Sequence, residues 1–268
     1  MRPGLLALDL DGTLLDHNSL IPDAHRQAIA AVQAMNIPVA LVTGRPVITT
    51  RPVWESLNLR NAAVCFNGTW LGHPDGEAIE QRPLAREDVH EIVQIMRQHE
   101  GVICCYTRDA WVMDCVVPRT RHWCQKYHTD AIHIDPGLIY DWPWPSPKVM
   151  FVCEPERLKV AVADLQAHFG PRYHVVASQE DRLEVHQPGI TKAWGLSRLC
   201  ELLGIERKTV WAAGDANNDQ EMINWVGTGC AMGHAPAALK AVATHVLPPI
   251  EEHGLTAIPD LLRSALDA

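Results

Sequence analysis

Short, continuous apolar runs that stop at carboxylates, amides or hydroxyls set the pattern of this chain. The first occupies 5–10 and ends among Asp9 and Asp11. Asp23 then stands where it could cap a helix over 24–35, whose Ile29, Val32 and Met35 share one face. An apolar run at 38–42 follows, then a second helix after Pro46, then a third run at 62–66. Runs that are apolar throughout, without alternation, predict strands covered on both faces. The opening therefore reads βαβαβ, with a parallel sheet.

From 73 to 184 the texture changes. Here the pattern predicts a helix over 86–99, short strands near 102–106, 111–114 and 148–153, and a helix over 155–168. The segment 141–147, Asp-Trp-Pro-Trp-Pro-Ser-Pro, is excluded from helices and central strands because proline has no amide hydrogen to donate; it reads as a rigid connection. Beyond Gly189 the first pattern returns, with helices over 192–203, 218–225 and 236–242 and strands at 209–213, 228–232 and 245–247. A last helix covers 255–266, with Pro259 tolerated near its first turn. The expected fold class is α/β: a Rossmann-like parallel sheet with helices on both faces, built from 1–72 and 185–268. Residues 73–184 form an inserted α+β cap in this reading.

Composition narrows the partners more than the fold. The 268 residues are 47% hydrophobic, enough to bury the core of one large or two modest domains. A formal charge of −9 with no basic cluster disfavours a nucleic-acid partner. A local cation can still reverse the field inside one cleft, so an anionic small-molecule substrate stays open. No apolar run approaches the roughly 18 residues of a membrane span, and a cytoplasmic protein is expected. Eight cysteines form no Cys-x-x-Cys pair, and several lie in apolar runs, as buried free thiols of a reducing compartment do. His122, Cys124 and His128 lack a fourth metal partner and read as a surface helix.

The chemistry-bearing residues sit at the ends of the apolar runs. Asp9 and Asp11, two apart on a strand, point the same way and leave the sheet at its C-terminal edge, where open α/β sheets bind ligands. Two adjacent acids repel, and a cation or a shared proton relieves them. Thr43-Gly44-Arg45 ends the second run with a hydroxyl and a close backbone amide, both suited to an anion. Asn67-Gly68 ends the third; such a pair commonly makes a hairpin, yet its place at the same edge equally fits a substrate contact. Lys192 opens a helix against the macrodipole, which an anion beside it would explain. Gly214-Asp215-Ala216-Asn217-Asn218-Asp219 adds hard oxygen ligands, and magnesium needs only two or three carboxylates because it keeps some of its waters. Each of these features alone reads as a turn, a cap or a solvated lysine.

In this order, Asp9-x-Asp11-Gly12-Thr13, Thr43-Gly44-Arg45, Lys192 and Gly214-Asp215-x-x-Asn218-Asp219 resemble the haloacid dehalogenase (HAD) superfamily of phosphatases. Asn67-Gly68 and the long insertion look like its Cof-type branch (type IIB), which carries a large α/β cap. The resemblance implies that Asp9 is the nucleophile, forming an aspartyl-phosphate, and that Asp11 protonates the leaving oxygen and then activates water. It assigns Leu10 (through its backbone), Thr43, Gly44, Lys192 and Asn218 to the phosphoryl oxygens. Magnesium would lie on Asp9, Asp215 and the carbonyl of Asp11, with Asp219 close behind, while Arg45, Asn67 and Gly68 face the substrate.

The implied activity is magnesium-dependent hydrolysis of small phosphorylated metabolites such as sugar phosphates. The alternatives are pyridoxal phosphate or a thiamin-pathway pyrimidine phosphate. Asp11 speaks against a dehalogenase, which has no alkoxide to protonate. A phosphomutase and a non-catalytic binding protein are the rival classes; the presence of Asp9, Asp11, Lys192 and Asp215 together argues against the second. The cap matches in length and texture alone, with Arg108, Arg119, Arg121 and His122 as candidates to line it. The oligomeric state is left open.

Overall fold

The computed structural model describes residues 2–127 and 129–267. Their packing divides the chain into two units. One holds the residues up to Arg45, Thr50–Glu80 and those from Thr191 onward; the other holds Pro46–Thr49 and Gln81–Ile190.

The first unit is built on a five-stranded sheet in the order His245–Val246, Thr228–Ala231, Val210–Gly214, Leu5–Leu8, Val39–Leu41. Every neighbouring pair is parallel. Leu5–Leu8 is thus an inner strand, bonded on one side to a strand more than 200 residues away in sequence. Its four side chains have no solvent contact, which is why the run is apolar without alternation. Leu5 and Ala7 join Val64, Leu196, Leu199, Ala212 and Met222 in one cluster, under helices Lys192–Leu203 and Gln220–Trp225. Leu6 and Leu8 turn to the opposite face, where helices Asp23–Ala34 and Ile258–Asp267 lie against each other.

Two local expectations are corrected. Asp23 does not cap its helix: Pro22, at φ −57° and ψ 142°, takes the cap position, and no side chain bonds the first amides. Proline's locked φ suits that place, and Asp23 lies instead in the first turn, near the helix's positive end. The third apolar run, Ala63–Cys65, does not extend the parallel sheet as a full strand. It touches it through an isolated bridge between Val42 and Val64, then pairs antiparallel with Trp70–Gly72 in a three-stranded sheet completed by Ala78–Gln81. The reversal is made at Phe66–Gly68, where Asn67 has φ 55°. Asn67-Gly68 is therefore a reversal of the chain, at the edge where the parallel strands end.

Helix Lys192–Leu203 rests directly on this reversal. Thr191 caps it, its hydroxyl oxygen accepting the Trp194 N–H. At Gly195 there is no room for a side chain: an added Cβ would lie 2.4 Å from a Val64 methyl and 2.9 Å from the Gly68 Cα. The close approach sets how deep Lys192, one turn earlier, enters the unit.

The second unit has a six-stranded sheet in the order His174–Gln179, Arg182–His186, Val149–Val152, Val102–Tyr106, Trp111–Met113, Ile132–Ile134. The last pair is parallel and the others are antiparallel. Ile103, Val149, Phe151 and Leu183 share a core with helices Arg86–Met96, Pro136–Tyr140 and Pro155–Phe169. Lys148 and Glu184 alternate with that face and form a buried ion pair of 2.8 Å. Trp142 is fully buried in this core and Trp144 is 47% exposed, their rings 5.3 Å apart.

Arg108 pairs with Asp109, and Arg119 with Glu154 and Asp181. Six cysteines are buried and free; Cys115 and Cys124 are exposed. His128 lies outside the described residues. Among the described residues no helix is long and apolar enough to cross a membrane.

Gly195→Ala should cost about 1–3 kcal/mol in urea unfolding, because Val64 and Gly68 have to move to admit a methyl group. An unchanged midpoint would mean that the helix is not pinned there.

Candidate active site

Three parallel strands deliver their following residues to one edge: Leu5–Leu8 leads to Asp9, Val39–Leu41 to Thr43, and Val210–Gly214 to Asp215. Helix Lys192–Leu203 brings its first residue to the same place. The Lys192 ammonium is 2.7 Å from Asp9 Oδ1 and 2.6 Å from Asp219 Oδ1. All three residues are buried. The anion that the misplaced lysine called for is thus a pair of carboxylates.

Each carboxylate is held differently. Asp219 Oδ2 accepts the amides of Asp215 and Ala216, both at 3.0 Å, so its two oxygens are divided between Lys192 and the main chain. Asp215 Oδ1 accepts the Thr13 hydroxyl at 2.9 Å, and its Oδ2 lies 3.5 Å from His234 Nε2. Gly12, at φ 82°, passes so close that a Cβ would sit 2.4 Å from Asp215 Oδ2, and the positive φ by itself favours glycine. Asp11 stands apart, its side chain half exposed. Arg45 grips it with Nε on Oδ2 at 2.7 Å and Nη2 on Oδ1 at 2.5 Å, and Nη2 also reaches Ser19 Oγ at 2.8 Å.

Thr43, Gly44, Arg45, Asn67 and Asn218 form one network around the chain reversal. Thr43 O accepts the Asn67 N–H at 3.0 Å, Arg45 O accepts the Phe66 N–H at 3.0 Å, and Thr43 Oγ1 accepts the Arg45 N–H at 3.1 Å. Asn218 Nδ2 donates to Asn67 Oδ1 at 3.0 Å, and Gly44 backs onto the same carboxamide. Leu10 O accepts the amides of Thr13, Leu14 and Leu15, which folds the loop after Asp9 tightly. Gly68 is buried beneath helix Lys192–Leu203. Arg45 is buried and engaged with Asp11.

Asp9, Asp215 and Asp219 each present an oxygen within 4.8 Å of the others, a group that could hold a metal ion. The Asp11 carboxylate is not in that group; Arg45 holds it elsewhere. Burial, and then the Asp219 and Asp215 charges, push the Asp9 carboxyl well above its ordinary value against the pull of Lys192. Burial and Asp219 raise Asp215 as well. Burial alone would lower the Lys192 ammonium, but the Asp219 and Asp9 charges outweigh it and raise it. Three acids against one lysine leave an excess of negative charge, and the all-oxygen donor set fits a hard divalent cation.

A family model described as haloacid dehalogenase-like hydrolase matches residues 6–258. The chain belongs to this family. Among curated HAD-like relatives, the 5-amino-6-(5-phospho-D-ribitylamino)uracil phosphatase YcsE of Bacillus subtilis (strain 168) is 27% identical over 242 residues, 90% of this chain and 88% of the relative. The HMP-PP phosphatase of Serratia proteamaculans (strain 568) is 26% identical over 239 residues, 89% and 86% of the two chains. A crystal structure of a haloacid dehalogenase-like hydrolase from Bacteroides thetaiotaomicron superposes with a TM-score of 0.90 at 26% identity, covering 97% of this chain and all of that one.

Three residues of the HAD-like site carried no role in the sequence reading. Thr13 stood in the first motif, but its partner Asp215 is 202 positions away. Ser19 has no motif. His234 follows the end of strand Thr228–Ala231, and the strand-end rule that selected Asp9 and Asp215 could have found it.

The raised Asp9 and Asp215 carboxyls fix a pH sign. Their ordinary value is 3.8, so the stability they contribute is complete below that pH and is lost as pH rises through the raised folded values. Cation-free protein should therefore melt lower at pH 8 than at pH 5, and Asp215→Asn should shrink that loss by removing one like charge. A saturating divalent cation should stabilise the wild type by about 2.7 kcal/mol at ~100 times its Kd, and the variant far less. Thermal melts with chelator and with magnesium at both pH values check this; a variant that gains as much from the cation as the wild type would refute it.

Proposed function

We propose that this hydrolase is a magnesium-dependent phosphatase of small phosphorylated metabolites, working through an aspartyl-phosphate on Asp9. The observation that carries the reading is the buried Lys192 ammonium shared by Asp9 and Asp219, beside Asp215, at the edge where parallel strands end. Phosphoryl transfer asks mainly for positioning and for neutralisation of charge. A lysine and a cation site around one carboxylate supply both.

In the first half of the reaction Asp9 forms a bond to phosphorus as the bond to the leaving oxygen breaks, and Asp11 gives that oxygen a proton. In the second half Asp11 takes a proton from the water that attacks phosphorus, and the Asp9–phosphorus bond breaks to free phosphate. Two acids can divide these roles because their surroundings differ. Asp9 is buried against Lys192, while Asp11 is half exposed and oriented by Arg45. Lys192, Thr43, Gly44, Asn218 and the Leu10 main chain take the phosphoryl oxygens. Magnesium, held by Asp9 and Asp215 with the Asp11 carbonyl, would neutralise charge on the transferring group. Asp219 is the fixed counter-charge behind Lys192.

The second unit acts as the cap that selects the leaving group. Relatives named for 5-amino-6-(5-phospho-D-ribitylamino)uracil and for HMP-PP support small phosphorylated metabolites as the substrate class; sugar phosphates and similar phosphomonoesters are the first to try. The free cysteines suit a reducing cytoplasm.

The test is phosphate release from a panel of phosphorylated metabolites, with magnesium and with chelator. Release should require magnesium, and Asp9→Asn should lower kcat by about three orders of magnitude or more. Arg45→Lys, which loses the two-pronged grip on Asp11, should lower kcat more than it changes KM. A wild type that moved phosphoryl groups between substrates without freeing phosphate would be a mutase, and release that survived Asp9→Asn would overturn the mechanism.

A further inference from the structure

The turn after strand Thr228–Ala231 is held on three sides. The Met232 amide donates to Gly214 O at 3.0 Å, the residue just before Asp215, and the Ala235 amide closes the turn onto Met232 O at 2.9 Å. Lys240 Nζ donates to Gly233 O at 2.9 Å. His234 sits at the centre of this turn, with 28% of its side chain exposed, and directs Nε2 at Asp215 Oδ2, 3.5 Å away.

Its other ring nitrogen decides what Nε2 can do. The Ile250 amide points at Nδ1 from 3.3 Å. A backbone N–H can only donate, so Nδ1 is the acceptor, and the ring proton belongs on Nε2, the nitrogen that faces Asp215. Ile250 is a firm anchor, since it is buried and opens the short helix Ile250–Glu252. On the far side Thr13 donates to Asp215 Oδ1 at 2.9 Å, and Gly12 closes off the approach along the backbone. The two oxygens of one carboxylate thus face donors from different segments, Thr13 at hydrogen-bond length and His234 Nε2 at the longer 3.5 Å. An ionised carboxylate has about four acceptor positions, so each oxygen keeps one for a cation.

We infer that His234 is a positioning residue for the cation site: held by Ile250 as the Nε2–H tautomer, it fixes the Asp215 carboxylate in the orientation in which it takes a divalent cation. This rests on the reading of Asp215 as a metal-binding residue, and it adds a residue to which no motif assigned a role. Outer partners of this kind typically tune metal affinity by about 10–100-fold.

The experiment has two arms. In cation-free wild type, ¹⁵N–¹H correlation spectra of the histidine rings should show His234 protonated on Nε2, assigned by its loss in His234→Ala or, should that variant not fold, in His234→Gln. The Nδ1–H tautomer would overturn the inference, whatever the protein's metal affinity. The second arm measures Mn²⁺ affinity directly, by calorimetry and by the spin-resonance signal of the free ion. His234→Ala should weaken binding about tenfold, and His234→Gln, whose amide can reach towards Asp215 as Nε2 does, should recover it to within about threefold. An alanine variant that binds as tightly as wild type, or a glutamine variant that binds as weakly as alanine, would reject the role. Failure of the wild type itself to bind Mn²⁺ would refute the metal reading on which the second arm depends, while the tautomer still judges His234 by itself.

Discussion

The Lys192 ammonium lies between Asp9 and Asp219 with almost no solvent around it. Burying an ion costs several kcal/mol unless close partners replace its water. Here two carboxylates do so for one ammonium, and the Asp215 and Ala216 amides satisfy the second oxygen of Asp219. The cluster fixes the relation of the first strand, the helix from Lys192 and the loop after Gly214. Those segments come from the beginning and the last third of the chain. Much of the first unit's architecture reads as support for this contact: the Thr191 cap that starts the helix, and the missing side chain at Gly195 that lets it sit low.

The cluster is also unbalanced, and the imbalance is its chemical use. With three acids and one base, burial and the neighbouring carboxylates raise the Asp9 and Asp215 carboxyls above their ordinary value, a shift that added positive charge would oppose. A divalent cation on these carboxylates would relieve their mutual repulsion, so its binding would be linked to stability. Asp11 escapes this because Arg45 draws it away. Two carboxylates two residues apart thus have different surroundings, the condition the proposed division of roles requires. Asn67, Asn218 and Thr43 bond to one another or to their neighbours' backbones, which fixes their positions at this edge of the sheet.

The second unit was less legible than the first. Helices Arg86–Met96 and Pro155–Phe169 and strands Val102–Tyr106 and Val149–Val152 stood out, the two strands because they are apolar throughout. Strands His174–Gln179, Arg182–His186 and Ile132–Ile134 did not, because they are short or carry polar residues on one side. Their conformation is stabilised by pairing with a neighbour, and pairing leaves little mark on local sequence. Arg119 shows the same limit: it was a candidate to line the cap, but two carboxylates distant in sequence occupy its guanidinium.

What the sequence determined by itself was local: which runs are buried strands, where they end, and that Asp9, Thr43 and Asp215 leave at those ends. Burial on both faces forces apolar continuity, and strand alternation fixes the side of each carboxylate, so both can be read within a few residues. The order of the motifs then sufficed for the family. The tertiary structure decided everything that depends on distance between remote residues. It put Asp219 on Lys192, Arg45 on Asp11, and His234 with Ile250 beside Asp215. The physical reason is that hydrogen bonds and ion pairs act over about 3 Å, while the residues they join here lie 16 to 202 positions apart along the chain.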